Sequence, residues 1–230
     1  AMTVIALIQA RLGSKRLPGK VLLPFAGGKS VIDFIWCRAL HTARAGSIII
    51  AAPCADARAF MGTSTFAPEG VNDCDVLSRY YVTARNYGFK YIARITSDCP
   101  LVDFTAIDPY LAFVESGYDY AANCHPERLL PSGLDIEVFS FDGLREAHFS
   151  TNVPSDREHV TPFIYNQMRA RHSKAACDHT NIKLSIDTEQ DYRRVKFLGE
   201  KLVNEHSMCG FNYVDVLNAY DKYALEINCL

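Results

Sequence analysis

Thr3-Val-Ile-Ala-Leu-Ile-Gln9 runs directly into Ala10-Arg-Leu-Gly-Ser-Lys-Arg-Leu-Pro-Gly-Lys20. The apolar run predicts a buried strand over residues 3–9, ended by Arg11 and Gly13. The loop after it holds Arg11, Lys15, Arg16 and Lys20 within ten residues. Gly13 and Gly19 let backbone N–H groups approach a ligand closely, and Pro18 stiffens the turn. Four cations and exposed amides at a strand end suit a polyanion such as a triphosphate. The competing reading is a solvated basic loop. It is not a Walker loop: Gly28-Lys29-Ser30 resembles the tail of one, but the required first glycine is Leu23. No GxGxxG occurs either.

Outward from this loop, apolar runs alternate with helical spacing. Ser30 with Asp33 predicts a capped helix over 31–43, followed by a strand over 47–52. Asp73 or Asp75 caps a helix through Tyr87, with apolar positions 76, 77, 80, 81 and 84 and a stop at Gly88. A strand over 91–96, a helix from Asp103 to Gly117 and a strand over 118–122 come next. Leu134 to Val138 alternates apolar residues with Asp135 and Glu137, which predicts a strand with one acidic face. Helices are expected over 142–149 and 157–169, then a strand over 181–186. Thr188 caps a long helix to about residue 205, and a last helix covers 213–226. This alternation predicts an α/β class, with a Rossmann-like, mostly parallel sheet flanked by helices and ligands at the carboxyl ends of its strands.

Composition narrows the function classes. A chain of 230 residues, 49% apolar and 22% charged, describes one ordinary globular domain. Twenty-four Lys and Arg against 26 Asp and Glu leave a net charge of −2, so no electrostatic case exists for nucleic acid. The longest aliphatic runs, 4–8 and 48–52, are far short of the ~20 residues of a membrane span. No basic, apolar and cleavage-site sequence opens the chain, so a cytoplasmic location is expected. The eight cysteines include no CxxC pair and no zinc spacing. They read as mostly buried free thiols in a reducing compartment.

Two carboxylates stand where chemistry is expected. Asp98 follows the strand 91–96, and Asp187 follows the strand 181–186 just before a helix. Together they can hold one Mg²⁺ while leaving places for water and phosphate oxygens. Asp187 can instead cap the helix, although Thr188 with Asp191 already supplies that cap. Asp73-Cys-Asp75 reads either as a cap or as the Asp-x-Asp metal motif of a glycosyltransferase using a sugar nucleotide. Asp135 and Glu137 can contact ribose, metal or acceptor hydroxyls, or face solvent. Ser155-Asp-Arg-Glu-His159 is a capped first turn or part of an acceptor pocket. His159 has no HExxH companion for zinc, and Cys99 packs behind Asp98 with no base beside it.

The stretch 11–20 resembles the opening motif of the cytidylyltransferases that activate acidic sugars. These include the CMP-Kdo and CMP-sialate synthetases, and the match is closest to the spore coat polysaccharide protein F family. The resemblance continues through Asp75-Val-Leu-Ser-Arg-Tyr-Tyr81, Arg94-Ile-Thr-Ser-Asp-Cys-Pro-Leu101, Gly133-Leu-Asp-Ile-Glu-Val-Phe-Ser-Phe141, Arg157-Glu-His-Val-Thr-Pro162 and Ile186-Asp-Thr188. It implies a nucleotide-diphospho-sugar transferase (GT-A-like) domain over 2–230, with a nucleotide-binding half of about 2–125 and an acceptor-binding half of about 126–230. It implies CTP and an acidic sugar or related acid as substrates, Mg²⁺ as cofactor, and a homodimer. By the same resemblance, Arg11, Lys20, Asp98 and Asp187 are catalytic, and Asp98 and Asp187 bind the metal. Ala10, Arg11, Gly13, Ser14, Arg16, Lys20 and Arg79 bind nucleotide, while Asp135, Glu137, Arg157 and His159 bind the acceptor. Arg157 suits an acceptor carboxylate because its planar fork makes two parallel hydrogen bonds. The other classes are a GT-A-type glycosyltransferase with Asp73 and Asp75 on metal, and a non-catalytic nucleotide-binding protein.

Overall fold

The computed structural model describes residues 4–40, 47–60, 62–128, 130–171 and 181–228. The opening run forms β1 (Val4–Gln9), with β2 (Ser47–Ala51) on one side and β4 (Tyr91–Thr96) on the other, both parallel to it. With β3 (Thr65–Phe66), β5 (Tyr120–Ala122), β6 (Glu137–Ser140) and β7 (Ala170–Arg171) they make a seven-stranded sheet of order β3-β2-β1-β4-β6-β5-β7. Only β6 runs antiparallel to its neighbours. The sheet is thus the mostly parallel α/β sheet that the alternation of elements predicts.

Helices cover both faces, which is why the central strands carry apolar residues at successive positions. Leu7 packs toward α2 (Val76–Tyr87) and α4 (Phe141–Ser150). Its neighbour Ile8 packs toward α1 (Val31–Ala39), α3 (Ile107–Glu115), α7 (Glu189–His206) and α8 (Tyr213–Asn228). The short helices α5 (Pro154–His159) and α6 (Pro162–Gln167) join the α2 side. The expected caps are present. Ser30 Oγ accepts from Asp33 N, Asp75 accepts from Ser78 N, and Thr188 with Asp191 forms a full capping box. Gly88 ends α2 at φ 67°, the left-handed turn that glycine takes without steric cost.

Four expectations need correction. The helix expected over 157–169 is two helices, broken at Val160 (φ 72°) and Thr161. The turn is made at Val160, since Thr161 (φ −97°, ψ −14°) is already helical, and Pro162, which has no N–H to donate, stands at the first position of the second helix. The strand expected over 134–138 starts only at Glu137. Upstream, Asn123 takes the place of a partner strand, donating to Leu134 O at 2.8 Å and accepting from Ile136 N at 2.8 Å. Residues 181–186 form no strand but a single bridge, Ser132 to Lys183. Their backbone bonds are divided between Ser132 and Asp98, so no ladder builds. Finally, of the described cysteines only Cys99 and Cys124, which follow β4 and β5 closely, are buried, while Cys37 is half-buried and Cys54, Cys74 and Cys209 are exposed. Cys177 and Cys229 lie outside the described residues, as do positions 41–43 of the first expected helix.

Candidate active site

A cleft of about 570 Å³ opens across the carboxyl ends of β1 and β4. Gln9 at the end of β1 and Arg11, Gly13, Ser14, Lys15, Arg16 and Lys20 of the basic loop line one wall. Arg94, Thr96, Ser97 and Asp98 form the floor at the end of β4. Glu158 and His159 enter from α5, Cys74 from the segment before α2, and Asp187 from the segment before α7. Parallel strands that end together therefore bring a single basic loop against carboxylates from distant parts of the chain.

The centre of the cleft is a lysine between two aspartates. Lys20 Nζ lies 2.8 Å from Asp98 Oδ2, 3.5 Å from Asp187 Oδ1 and 2.6 Å from Ile186 O. Burial alone would raise the Asp98 carboxyl, but the Lys20 ammonium overrides it and holds the group below the usual carboxylate range. Asp187 is further paired with Arg16 at 2.9 Å and Lys183 at 2.9 Å. Ile186 N donates to Asp98 O at 2.8 Å and fixes the two carboxylate-bearing segments side by side. Asp98, Asp187 and the Ile186 carbonyl are an all-oxygen donor set converging on one cation. That set has the donor chemistry of a hard divalent ion such as Mg²⁺.

The basic loop is held open by its own backbone. Leu12 N donates to Asp56 Oδ2 at 2.8 Å, and Ser14 N and Gly19 N both donate to Leu12 O. Gly19 stands at φ 67°, which turns the chain so that Lys20 enters the cleft. Arg11 is 3.8 Å from Glu158, both side chains about half exposed. Ala10 is completely buried, with its N–H on Ala51 O, and does not line the cleft.

Several expected site residues lie elsewhere. Glu137 is 3% exposed and faces neither solvent nor cleft. It is ion-paired with Arg94 and accepts from Tyr120 and Thr161, because the sheet face that its strand presents is itself covered by helices. Burial would raise its carboxyl, and the Arg94 guanidinium with these two hydroxyls brings it below the usual value instead. Arg157 does not face the cleft. Its guanidinium donates to both Asp75 oxygens, to Ser78 Oγ and to His148 O and Thr151 O, which leaves no open fork for an acceptor carboxylate. Asp75 caps α2 and is held by Arg157, so Asp73-Cys-Asp75 is a capping segment rather than a metal motif. Asp135 is paired with Arg128. Arg79 is buried beneath the loop, with Nη2 on Asp73 O at 2.7 Å and Nη1 without a partner.

Arg94, Gln9, Glu158 and Cys74 line the cleft without having been singled out. Arg94 carried a readable signal, since a charge inside an apolar strand, four residues before Asp98, requires a buried counter-ion. Glu158 carried one as the carboxylate of the Ser155–His159 cluster, while Cys74 carried none. Elsewhere, Cys124, His125 and Glu137 each bring a ligand atom within 4.8 Å of the others. Arg94 already neutralises Glu137 there, which disfavours a second cation.

Comparison with known proteins agrees with this geometry. The sequence profile of the family described as cytidylyltransferase matches residues 5–207. The uncharacterized protein MJ1063 of Methanocaldococcus jannaschii is 31% identical over 205 residues, covering 84% of this chain and 81% of that one. The spore coat polysaccharide biosynthesis protein SpsF of Bacillus subtilis is 24% identical over 97% of each chain. The structure of a cytidylyltransferase from Leptospira borgpetersenii superimposes with a TM-score of 0.85 at 27% identity, covering 97% of this chain and 96% of that one. The chain belongs to the cytidylyltransferase family, whose members are nucleotidyltransferases that use CTP.

Proposed function

We propose that this cytidylyltransferase joins CMP from CTP to an acidic sugar or related acid with release of pyrophosphate, in the building of a surface polysaccharide or glycoconjugate. The observation that carries the reading is the Lys20 ammonium between Asp98 and Asp187, inside a strand-end cleft that Arg11 and Arg16 also line. SpsF, a relative over nearly the whole chain, supports the polysaccharide setting by its name. No helix among the described residues is long and apolar enough to cross a membrane, consistent with water-soluble substrates.

In this mechanism Arg11, Arg16, Lys20 and the Gly13-Ser14 backbone hold the β- and γ-phosphates and stabilise the leaving pyrophosphate. Asp98 and Asp187 hold Mg²⁺, which when bound neutralises charge on the transferring phosphates. Arg79, buried and absent from the cleft lining, holds Asp73 O through Nη2 and supports the loop from beneath. The acid occupies the side of the cleft lined by Arg94 and His159. Its oxygen attacks the α-phosphorus in line, and no covalent enzyme intermediate is required. Asp135, paired with Arg128, and Arg157, paired with Asp75, do not line the cleft and so do not touch the acid.

The test is a pyrophosphate-release screen of CTP, ATP, GTP and UTP against a panel of sugar acids with Mg²⁺. Release with CTP and one class of acid is expected. Preference for another triphosphate, or release with neutral sugars only, rejects the reading.

A further inference from the structure

We propose that Lys20 is a counter-ion holding the metal's place, and that a divalent ion enters between Asp98 and Asp187 only with a nucleotide whose phosphate takes the ammonium in exchange. The inference rests on the reading of the cleft given above and concerns the order in which the site is filled.

The ammonium donates to Asp98 at 2.8 Å and to Ile186 O at 2.6 Å, and is ion-paired with Asp187 at 3.5 Å. Its side chain is 13% exposed, so little water competes for those contacts. A divalent ion would use the same oxygens, and two cations cannot share them at contact distance. Asp187 gains little from a metal alone, because Arg16 and Lys183 already flank its two oxygens. Evicting the ammonium into the cleft without a partner would leave a charge in a partly desolvated place. A polyphosphate removes both obstacles. It gives Lys20 a new anion, draws Arg16 away from Asp187, and brings ligand oxygens of its own to the metal. Metal and nucleotide affinities are then coupled, each tightening the other by the same factor.

The exchange is read by Mn²⁺ binding to the full-length protein, measured by paramagnetic resonance of the free ion. Wild type without nucleotide should bind Mn²⁺ weakly. Lys20→Met, and Lys20→Gln as a second variant, should each bind it about 10-fold tighter or more without nucleotide. Mn²⁺ should also raise their melting temperatures more than that of wild type. Adding Asp98→Asn to Lys20→Met should abolish the gain, which assigns it to this site. Equal Mn²⁺ affinity in wild type and both Lys20 variants would overturn the exchange. Absence of Mn²⁺ binding in every variant, with CTP present or absent, would overturn it together with the metal assignment. If the Lys20 variants gain affinity as expected but wild type releases no pyrophosphate from CTP, the exchange stands and the proposed reaction fails.

Discussion

Arg94 and Glu137 stand directly opposite each other across β4 and β6, and the guanidinium donates to a carboxylate that is 3% exposed. This pair anchors the floor of the cleft, since Arg94 also donates to Gln9 Oε1 at 3.3 Å. Glu137→Gln keeps the shape but leaves Arg94 as a buried unpaired charge, and should cost about 3 kcal/mol at neutral pH. The sign with pH follows from the lowered Glu137 carboxyl. Its contribution is full above the ordinary glutamate value of about 4.3 and is lost as pH falls below that through the folded value. Denaturant midpoints measured from pH 7 to 3 should therefore fall more steeply for wild type than for Glu137→Gln. Parallel curves would show that the pair does not govern acid stability.

Asp98→Asn and Asp187→Asn should each lower kcat by about 100-fold or more while the protein stays folded, because charge stabilisation of transferring phosphates is a large catalytic term. The double variant should lose less than the sum, since both residues act through one cation position. Wild-type turnover and metal dependence in either single variant would remove that residue from the site.

Arg157 joins α2, α4 and α5 and stands behind the cleft residue His159. Arg157→Ala should destabilise the fold by about 2 kcal/mol, with coupling to Asp75→Ala of about 1–3 kcal/mol in a double-mutant cycle. Turnover should fall through kcat, with little change in acceptor KM, because the guanidinium touches no substrate. A large KM effect without loss of stability would return Arg157 to the acceptor pocket.

Gly133 sits at φ 105°, and a Cβ there would lie 2.3 Å from Leu184 C and 2.5 Å from Ser185 N. Gly133→Ala should therefore cost about 2–4 kcal/mol and push away the segment that carries Asp187. Melting temperature and kcat, measured well below the transition, should fall together. An alanine variant with wild-type stability would show that the close approach is relaxed in solution.

Much of this was legible in the sequence, for reasons that differ by element. The parallel strands and α2 announced themselves because a doubly covered strand and an amphipathic helix have different apolar periods. The basic loop and Asp98 were readable because their chemistry is concentrated at strand ends, whereas Asp187 follows no strand and was readable only from its place just before the capped α7. Arg157 and Glu137 were misplaced for one physical reason. A charged side chain looks identical in sequence whether a ligand or a buried counter-ion neutralises it, and the counter-ions here are far along the chain, 82 residues for Asp75 and 43 for Arg94. The 181–186 segment failed similarly, since apolar spacing does not reveal whether one partner or two receive its backbone bonds.

Lys20 and Ile186 are joined by a hydrogen bond across 166 positions of chain. Contacts of such sequence separation are slow to form, because a long loop must be closed before they return any stabilisation. During synthesis the basic loop and Asp98 leave the ribosome long before residue 186 does. Until then the Lys20 ammonium lacks Asp187 and the Ile186 carbonyl, and Asp98 lacks the backbone clamp from Ile186. The cluster at the centre of the cleft therefore closes only once the chain beyond residue 186 has docked.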